Sequence, residues 1–524
     1  MARNFVCNNK ENIVETTGGV VKGFSLDGIS IFKGIPYAEA KRFHRPQPAS
    51  WEGVKDCTSF GYVCPLVEMP EPNNELLVPH RYWLMDENCL NLNLWTPGLD
   101  DKKRPVIVWF HGGGFESGSA IEHEAYEGEN MAKCADVVSI SVNHRLNVLG
   151  YLDFSEFGEE YEDSGNNGTN DMIMSLQWVR DNVAKFGGDP DNVTIFGQSG
   201  GGMKVTTLLQ TPAADGLFHK GMVMSGVIDP FVMGDSAGSA KEIVEAILDT
   251  LGLESVKELE EVPYDALAAA YLEVKPAFMK AGKNFGGSPH PNDFYAGDPL
   301  VTDFREETKN VPLLVGTVFG EFAGFVPTAY DRKALSRDEQ VEMLEEKFGA
   351  EKAAKLIPIF EKAYPGHPVI DLLQLDWLFR HPTMEYIKKR SALNDCTWSY
   401  LFDFESDLDG GTVPWHCADV PFFFHNTCMV PTTWKGDVTE KLEAQMFGAF
   451  MNFARTGDPN GDGTTLPAWP ASSADAEHTM IFCEETHEAP ANYDHELQDA
   501  YKDEVGLMMA AEVWGGDNAD KIQH

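Results

Sequence analysis

The chain has 524 residues, with 41 basic against 82 acidic side chains and a net charge of −41. A surface that acidic repels phosphate backbones and anionic bilayers, so nucleic-acid binding and docking on such membranes are not expected. With 43% hydrophobic and 23% charged residues, the composition is that of an ordinary globular protein and excludes a fibrous or disordered chain.

The first residues, Met-Ala-Arg-Asn-Phe-Val-Cys, lack the apolar region of a signal peptide, and no run of 18 apolar residues occurs anywhere. The expectation is a cytoplasmic protein without a membrane span; a secreted protein whose leader had been removed would read the same way. Nine cysteines are scattered with no Cys-x-x-Cys pair, which speaks against a disulfide scaffold and against a zinc ribbon. No cofactor or metal site is expected.

In chain order, the stretch 64–89 is rich in proline and acidic residues and reads as a long surface loop. Val106–Phe110 is a continuous apolar run suited to a strand covered on both faces. Val137–Val142, Val193–Phe196, Met222–Met224, Leu313–Val315, Trp398–Phe402 and Thr479–Phe482 continue the series. Between the second and third, Met172, Leu176, Val179, Val183 and Phe186 recur at helical spacing until Gly187-Gly188 stops them. Alternating strands and helices predict a mostly parallel sheet with helices on both faces. Two helical excursions are expected at about 240–280 and 333–392, each with apolar residues at helical spacing and a glycine stop, Gly252 and Gly349. Packing on the sheet flanks and capping a cleft are equally open for them.

The chemistry starts at Gly197-Gln198-Ser199-Gly200-Gly201, a Gly-x-Ser-x-Gly. A predicted strand runs into it and a predicted helix, Met203 to Gln210, leaves it. Strand, sharp turn and helix with serine at the turn make a nucleophile elbow, whose flanking glycines avoid clashes a side chain would cause. His111-Gly112-Gly113-Gly114-Phe115 follows the strand Val106–Phe110. Its N–H groups are suited to an oxyanion, with Gly200 as a further donor. Serine needs a base to take its proton, and in this arrangement the chain order is serine, acid, histidine. Eight histidines lie late enough in the chain, and spacing alone leaves the choice open. His416 has positional merit in a glycine-containing loop after a strand. Glu321 has it too, just past a strand with Gly316 and Gly320 beside it.

At this point the chain resembles the type-B carboxylesterase and cholinesterase family of α/β hydrolases, closest in character to the bacterial carboxylesterases. The resemblance runs from about residue 15 to 482. It rests on Phe32-Lys-Gly-Ile-Pro-Tyr-Ala38, Arg42-Phe43, Arg45-Pro46, Glu87-Asn-Cys-Leu-Asn-Leu-Asn93, His111–Phe115, Asn143-His-Arg145, Leu176-Gln-Trp-Val179, Phe186-Gly-Gly-Asp-Pro190, the elbow, Gly216-Leu-Phe-His219, Asn452-Phe-Ala and Thr456-Gly-Asp-Pro459. It implies one α/β-hydrolase domain over 1–524, with a mostly parallel central sheet and helical cap excursions. It implies Ser199 as nucleophile, His416 as base and Glu321 as its partner, with Gly113, Gly114 and Gly200 as oxyanion donors. The acid motif Gly316-Thr-Val-Phe-Gly-Glu321 keeps the family spacing, and His416-Cys-Ala-Asp419 is similar to the histidine motif with changes.

Two departures bear on substrate. The usual glutamate before the serine is Gln198, and the usual alanine after it is Gly200. Gln198 and Phe115 are expected at the substrate, and the neutral amide argues against a choline ester. Cys64 and Cys89 match the positions of a disulfide that many secreted members share; in a reducing cytosol both would be thiols. The expected activity is hydrolysis of small to medium neutral carboxylic esters through an acyl-enzyme. Acyl transfer, or amide or lactone hydrolysis with the same residues, is the alternative; a non-catalytic binding relative is a third. The expected partner is a small ester alone, and the sequence leaves the oligomeric state open.

Overall fold

The computed structural model describes residues 3–68, 75–229, 238–323, 330–461, 465–506 and 508–509. Its backbone falls into two compact units. One comprises Met1–Asn73, His80–Val223 and Gly234–Val311; the other comprises Asn74–Pro79, Met224–Met233 and Pro312–His524.

The first unit carries eight strands of a twisted sheet: β1 (Phe5–Val6), β2 (Phe24–Leu26), β3 (Ile29–Pro36), β4 (Asn91–Thr96), β5 (Arg104–Phe110), β6 (Val138–Val142), β7 (Gly188–Gln198) and β8 (Lys220–Met224). Their spatial order is β1-β2-β3-β4-β6-β5-β7-β8. β5 lies parallel to both β6 and β7, whereas β2, β3 and β4 form an antiparallel leading edge that joins β6 antiparallel. The apolar runs explain the parallel part: every residue of β6 and all of Val106–Phe110 are buried. The antiparallel edge has no such run. β4 reads Asn-Leu-Asn-Leu-Trp-Thr and is nonetheless buried throughout. Asn93 makes this tolerable by donating to the Ser141 hydroxyl and accepting from the Gly34 N–H, so no buried amide goes unpaired there.

The predicted helix appears as α1 (Asn167–Asn182), followed by a tight turn Val183–Phe186 that Gly187 ends in the left-handed region at φ 77°. α2 (Gly200–Leu209) follows β7 with one residue between them. The excursion expected at 240–280 is α3 (Lys241–Leu251), a short helical turn Val256–Leu259 and α4 (Tyr264–Lys280).

The second unit carries β9 (Leu313–Val318), β10 (Thr397–Phe402), β11 (Thr479–Phe482) and β12 (His487–Glu488) in that spatial order. β9, β10 and β11 are parallel and β12 closes the edge antiparallel. The excursion at 333–392 is α5 (Arg337–Phe348), α6 (Ala350–Ala363) and α7 (Arg380–Ser391). Ser336 opens α5 with a reciprocal cap, its side chain accepting from the Glu339 N–H while Glu339 accepts from the Ser336 N–H at 2.8 Å. In the segment 64–89 the described residues hold no helix or strand, and 69–74 lie outside them. Among the described residues no helix is long and apolar enough to cross a membrane.

Candidate active site

Ser199 occupies the single residue between β7 and α2. Its backbone sits at φ 57°, ψ −127°, a conformation that costs a non-glycine residue roughly 1–3 kcal/mol. The neighbouring glycines explain how the strand can turn so sharply. A Cβ on Gly197 would lie 2.3 Å from the Gly201 carbonyl carbon, and one on Gly201 would lie 2.1 Å from the Phe110 oxygen. No side chain fits at either position. The Ser199 carbonyl already accepts from the Met203 N–H, so the serine caps α2 and stands in the positive field of its N-terminus.

The glycine loop lies against the elbow in the same unit. Gly113 and Gly114 adopt φ 81° and 62°, which suits residues without a Cβ. A Cβ on Gly200 would lie 2.3 Å from both the nitrogen and the oxygen of Gly114, so the loop and the first residue of α2 are in backbone contact. Gly112 faces the Gln198 carbonyl and the Ser199 Cβ in the same way, at 3.1 and 3.4 Å from its ideal Cβ position. The Gly113 carbonyl is held from behind by the Ser117 N–H at 3.0 Å. Gly113 is exposed, whereas Gln198 and Phe115 are buried. Phe115 packs edge-on against Tyr151 at 4.9 Å. Glu116 is paired with Lys275, so its charge is compensated.

Glu321 and His416 are brought together in the second unit. The fully buried Glu321 carboxylate is hydrogen-bonded to His416 Nδ1, and the Glu321 carbonyl accepts from the His416 N–H at 2.8 Å. The carboxylate also accepts from the Ser225 hydroxyl at 2.5 Å and from the Val318 N–H at 2.9 Å. With both oxygens occupied, its orientation is fixed. The His416 ring stacks on Phe379 at 5.2 Å with 25° between planes. Phe379 is anchored in turn by Asp376, which accepts from the N–H groups of Leu378, Phe379 and Arg380 at the start of α7. Burial, reinforced by the Glu321 charge, pushes the Asp376 carboxyl well above the usual range. Burial likewise lifts Asp419 to about 7, while a hydrogen bond from the Tyr400 hydroxyl works against the rise.

Ser225, Phe379 and Asp376 were not singled out from the sequence. Ser225 directly follows the predicted strand Met222–Met224, which is the one local signal it carries. Phe379 reaches the dyad by stacking on His416, and Asp376 through its hydrogen bonds at the start of α7. Cys64 and Cys89 are buried free thiols. Hydrogen bonding to Cys64, together with burial, holds the Cys89 thiol well above its ordinary range, and the Leu146 N–H donates to the Cys64 sulfur at 3.3 Å. Among the described residues no group of three or more His, Cys, Asp or Glu side chains is placed to hold a metal ion.

The first unit thus holds a serine on a strained turn beside a glycine loop, and the second holds a buried Glu–His pair. The model of the carboxylesterase family matches residues 10–501. Para-nitrobenzyl esterase of Bacillus subtilis (strain 168) is 31% identical over 485 residues, covering 90% of this chain and 94% of its own. Phenmedipham hydrolase of Pseudarthrobacter oxydans is 32% identical over 506 residues, covering 90% and 95%. The solved structure of an esterase from the anaerobic Clostridium hathewayi, which can hydrolyse aliphatic aromatic polyesters, is 47% identical. It superposes with a TM-score of 0.92 over 96% of this chain and 100% of that one. Fold and matches define an α/β-hydrolase with a large, mostly parallel central sheet. The chain belongs to the carboxylesterase family and is a carboxylic-ester hydrolase.

Proposed function

We propose that the chain hydrolyses small to medium neutral carboxylic esters through an acyl-enzyme on Ser199, with His416 as general base and then acid. Glu321 holds the imidazole in one tautomer and stabilises its charged form. The observation that carries this reading is the backbone of Ser199, strained at φ 57° at the head of α2 with the glycine loop in contact beside it. Strain of this kind is held where a side chain must be presented at a fixed point.

In the first half-reaction the Ser199 hydroxyl attacks the ester carbonyl and His416 takes its proton. Negative charge collects on the former carbonyl oxygen, where the N–H groups of Gly113, Gly114 and Gly200 stabilise it, each donor contributing ~3–4 kcal/mol. His416 then protonates the departing alcohol. In the second half-reaction water repeats the sequence and releases the acid. Neutral esters fit best because Gln198 brings no charge to the elbow and a net charge of −41 disfavours anionic substrates. The relatives named for para-nitrobenzyl esters and for aliphatic aromatic polyesters support including aryl-containing esters in the range.

The test is covalent. A fluorophosphonate probe should label the enzyme once, and peptide mass spectrometry should place the label on Ser199. Added short alcohols should capture the acyl group no better than their share of water predicts. Preferential capture would favour the acyltransferase reading, and a label elsewhere would remove Ser199 from the mechanism.

A further inference from the structure

A buried ammonium stands behind the glycine loop. Lys204 lies on α2, five residues after Ser199, and its side chain is fully buried. Lysine is almost never buried to this degree without partners. Here the partners are backbone carbonyls: Nζ donates to the His111 oxygen at 2.8 Å and, more weakly, to the Gly112 oxygen at 3.4 Å. The charged and titratable groups facing it are Glu122, Cys64, His111 and His144, with the Phe115 ring 6.0 Å away. Burial pulls the ammonium down to about 7, against the attraction of Glu122. Burial, followed by the Lys204 charge, keeps the His111 imidazole neutral well below its ordinary range. The His111 ring stacks on His144 at 4.9 Å, and its Nδ1 lies 2.9 Å from the Gly112 oxygen. With its proton on Nδ1, His111 becomes a second donor to that carbonyl.

The consequence follows from peptide geometry. A trans peptide is planar, and its C=O and N–H point to opposite sides. The Gly112 carbonyl and the Gly113 N–H belong to one such plane. Donors that grip the carbonyl from inside the unit therefore set the direction in which the Gly113 N–H points outward. The loop needs this restraint, because three consecutive glycines have no side chains to hold it and two of them sit at positive φ.

We propose that Lys204 is a positioning residue for ester hydrolysis, gripping the His111 and Gly112 carbonyls so that the Gly113 N–H stays aimed at the oxyanion. The proposal rests on the assignment of Gly113 as an oxyanion donor.

The test uses Lys204→Met, which keeps length and apolar volume without a donor, and Lys204→Gln, which restores a shorter neutral donor. Rates are normalised by active-site titration, so partial unfolding does not count as lost chemistry. The expected result for Met is a ~10- to 100-fold fall in kcat, a fraction of the ~10²–10³ lost when an oxyanion donor is removed outright. KM should stay within about threefold, and the inhibition constant of an aryl trifluoromethyl ketone, whose adduct carries the oxyanion, should rise in parallel with the loss in kcat/KM. Gln should recover part of the loss. A Met variant with wild-type kcat per active site and only a lower melting temperature would overturn the proposal, as would a rise confined to KM. Should Met fail to fold, Gln is judged alone: wild-type kcat overturns the proposal, and a lower kcat at unchanged KM supports it. Full activity in Ser199→Ala would instead strike the site assignment on which the proposal stands.

Discussion

His416 and Glu321 are joined twice, once by side chains through Nδ1 and the carboxylate and once by backbone through the His416 N–H and the Glu321 carbonyl. The double link makes the ring orientation a property of the fold and not of a single hydrogen bond. Glu321→Gln should therefore keep the ring in place while losing the carboxylate that selects the Nδ1-protonated form. Its kcat should fall by ~10⁴ with KM little changed, the pattern expected when the wrong tautomer is held. A loss under tenfold would show that the carboxylate does not choose the tautomer. Ser225→Ala removes one of the fixed contacts to the carboxylate and should cost roughly tenfold or less, read by the same assay.

Gly200→Ala tests the contact between elbow and loop. Its Cβ would enter within 2.3 Å of the Gly114 backbone, and backbone cannot move aside as a flexible side chain can. The loop must shift as a body, taking two proposed oxyanion donors with it. A fall in kcat of about 10²-fold is expected, on the scale of a misplaced donor. An alanine variant with wild-type kcat would contradict the contact. The position is telling because the family pattern usually has alanine here.

His367 sets a pH dependence of stability. Burial disfavours its charged form, but Asp403 and Asp371, bonded to its two ring nitrogens at 2.9 and 2.8 Å, outweigh this and raise it from 6.5 to about 10. The folded state thus holds a proton that the unfolded chain releases above pH 6.5. This contribution is complete below pH 6.5 and is lost as pH rises through 10. Thermal melts from pH 6 to 10 should show a shallower decline for His367→Gln than for wild type, with the variant less stable at pH 6. Parallel curves would contradict the pairing.

The cysteines give a chemical check. Cys7, Cys134 and Cys428 are exposed, whereas Cys57, Cys64 and Cys89 are buried. Burial raises Cys57 to about 12, and Cys89 lies well above its ordinary range. A thiol reagent should react quickly with the exposed set, leave the buried set untouched in the native protein, and count nine thiols after denaturation. A count of seven would mean a bridge.

The parallel strands were legible because burial on both faces writes continuous apolar runs such as Val106–Phe110. β4 was not, because its buried Asn91 and Asn93 carry the pattern of an exposed strand and are tolerated through partners that include Tyr62 and Ser141, far along the chain. Ser199 was legible because its turn demands glycine at 197 and 201, and steric demand leaves a local mark. Glu321 and His416 needed the family pattern to single them out among many carboxylates and histidines. Ser225, Phe379 and Asp376 had no comparable mark, since each acts through a contact made only when the unit folds. Lys204 left a faint one, a lone cation among Val205, Leu208 and Leu209 on α2.

The most direct test of the account is the initial rate of p-nitrophenyl ester hydrolysis, acetate to decanoate, by wild type and Ser199→Ala at matched folded concentration. Wild type should turn over, with the chain-length optimum measuring the acyl pocket, and the variant should lose ~10⁴-fold or more in kcat. Equal turnover by the two proteins would contradict it, because the ester would then be cleaved without the strained serine.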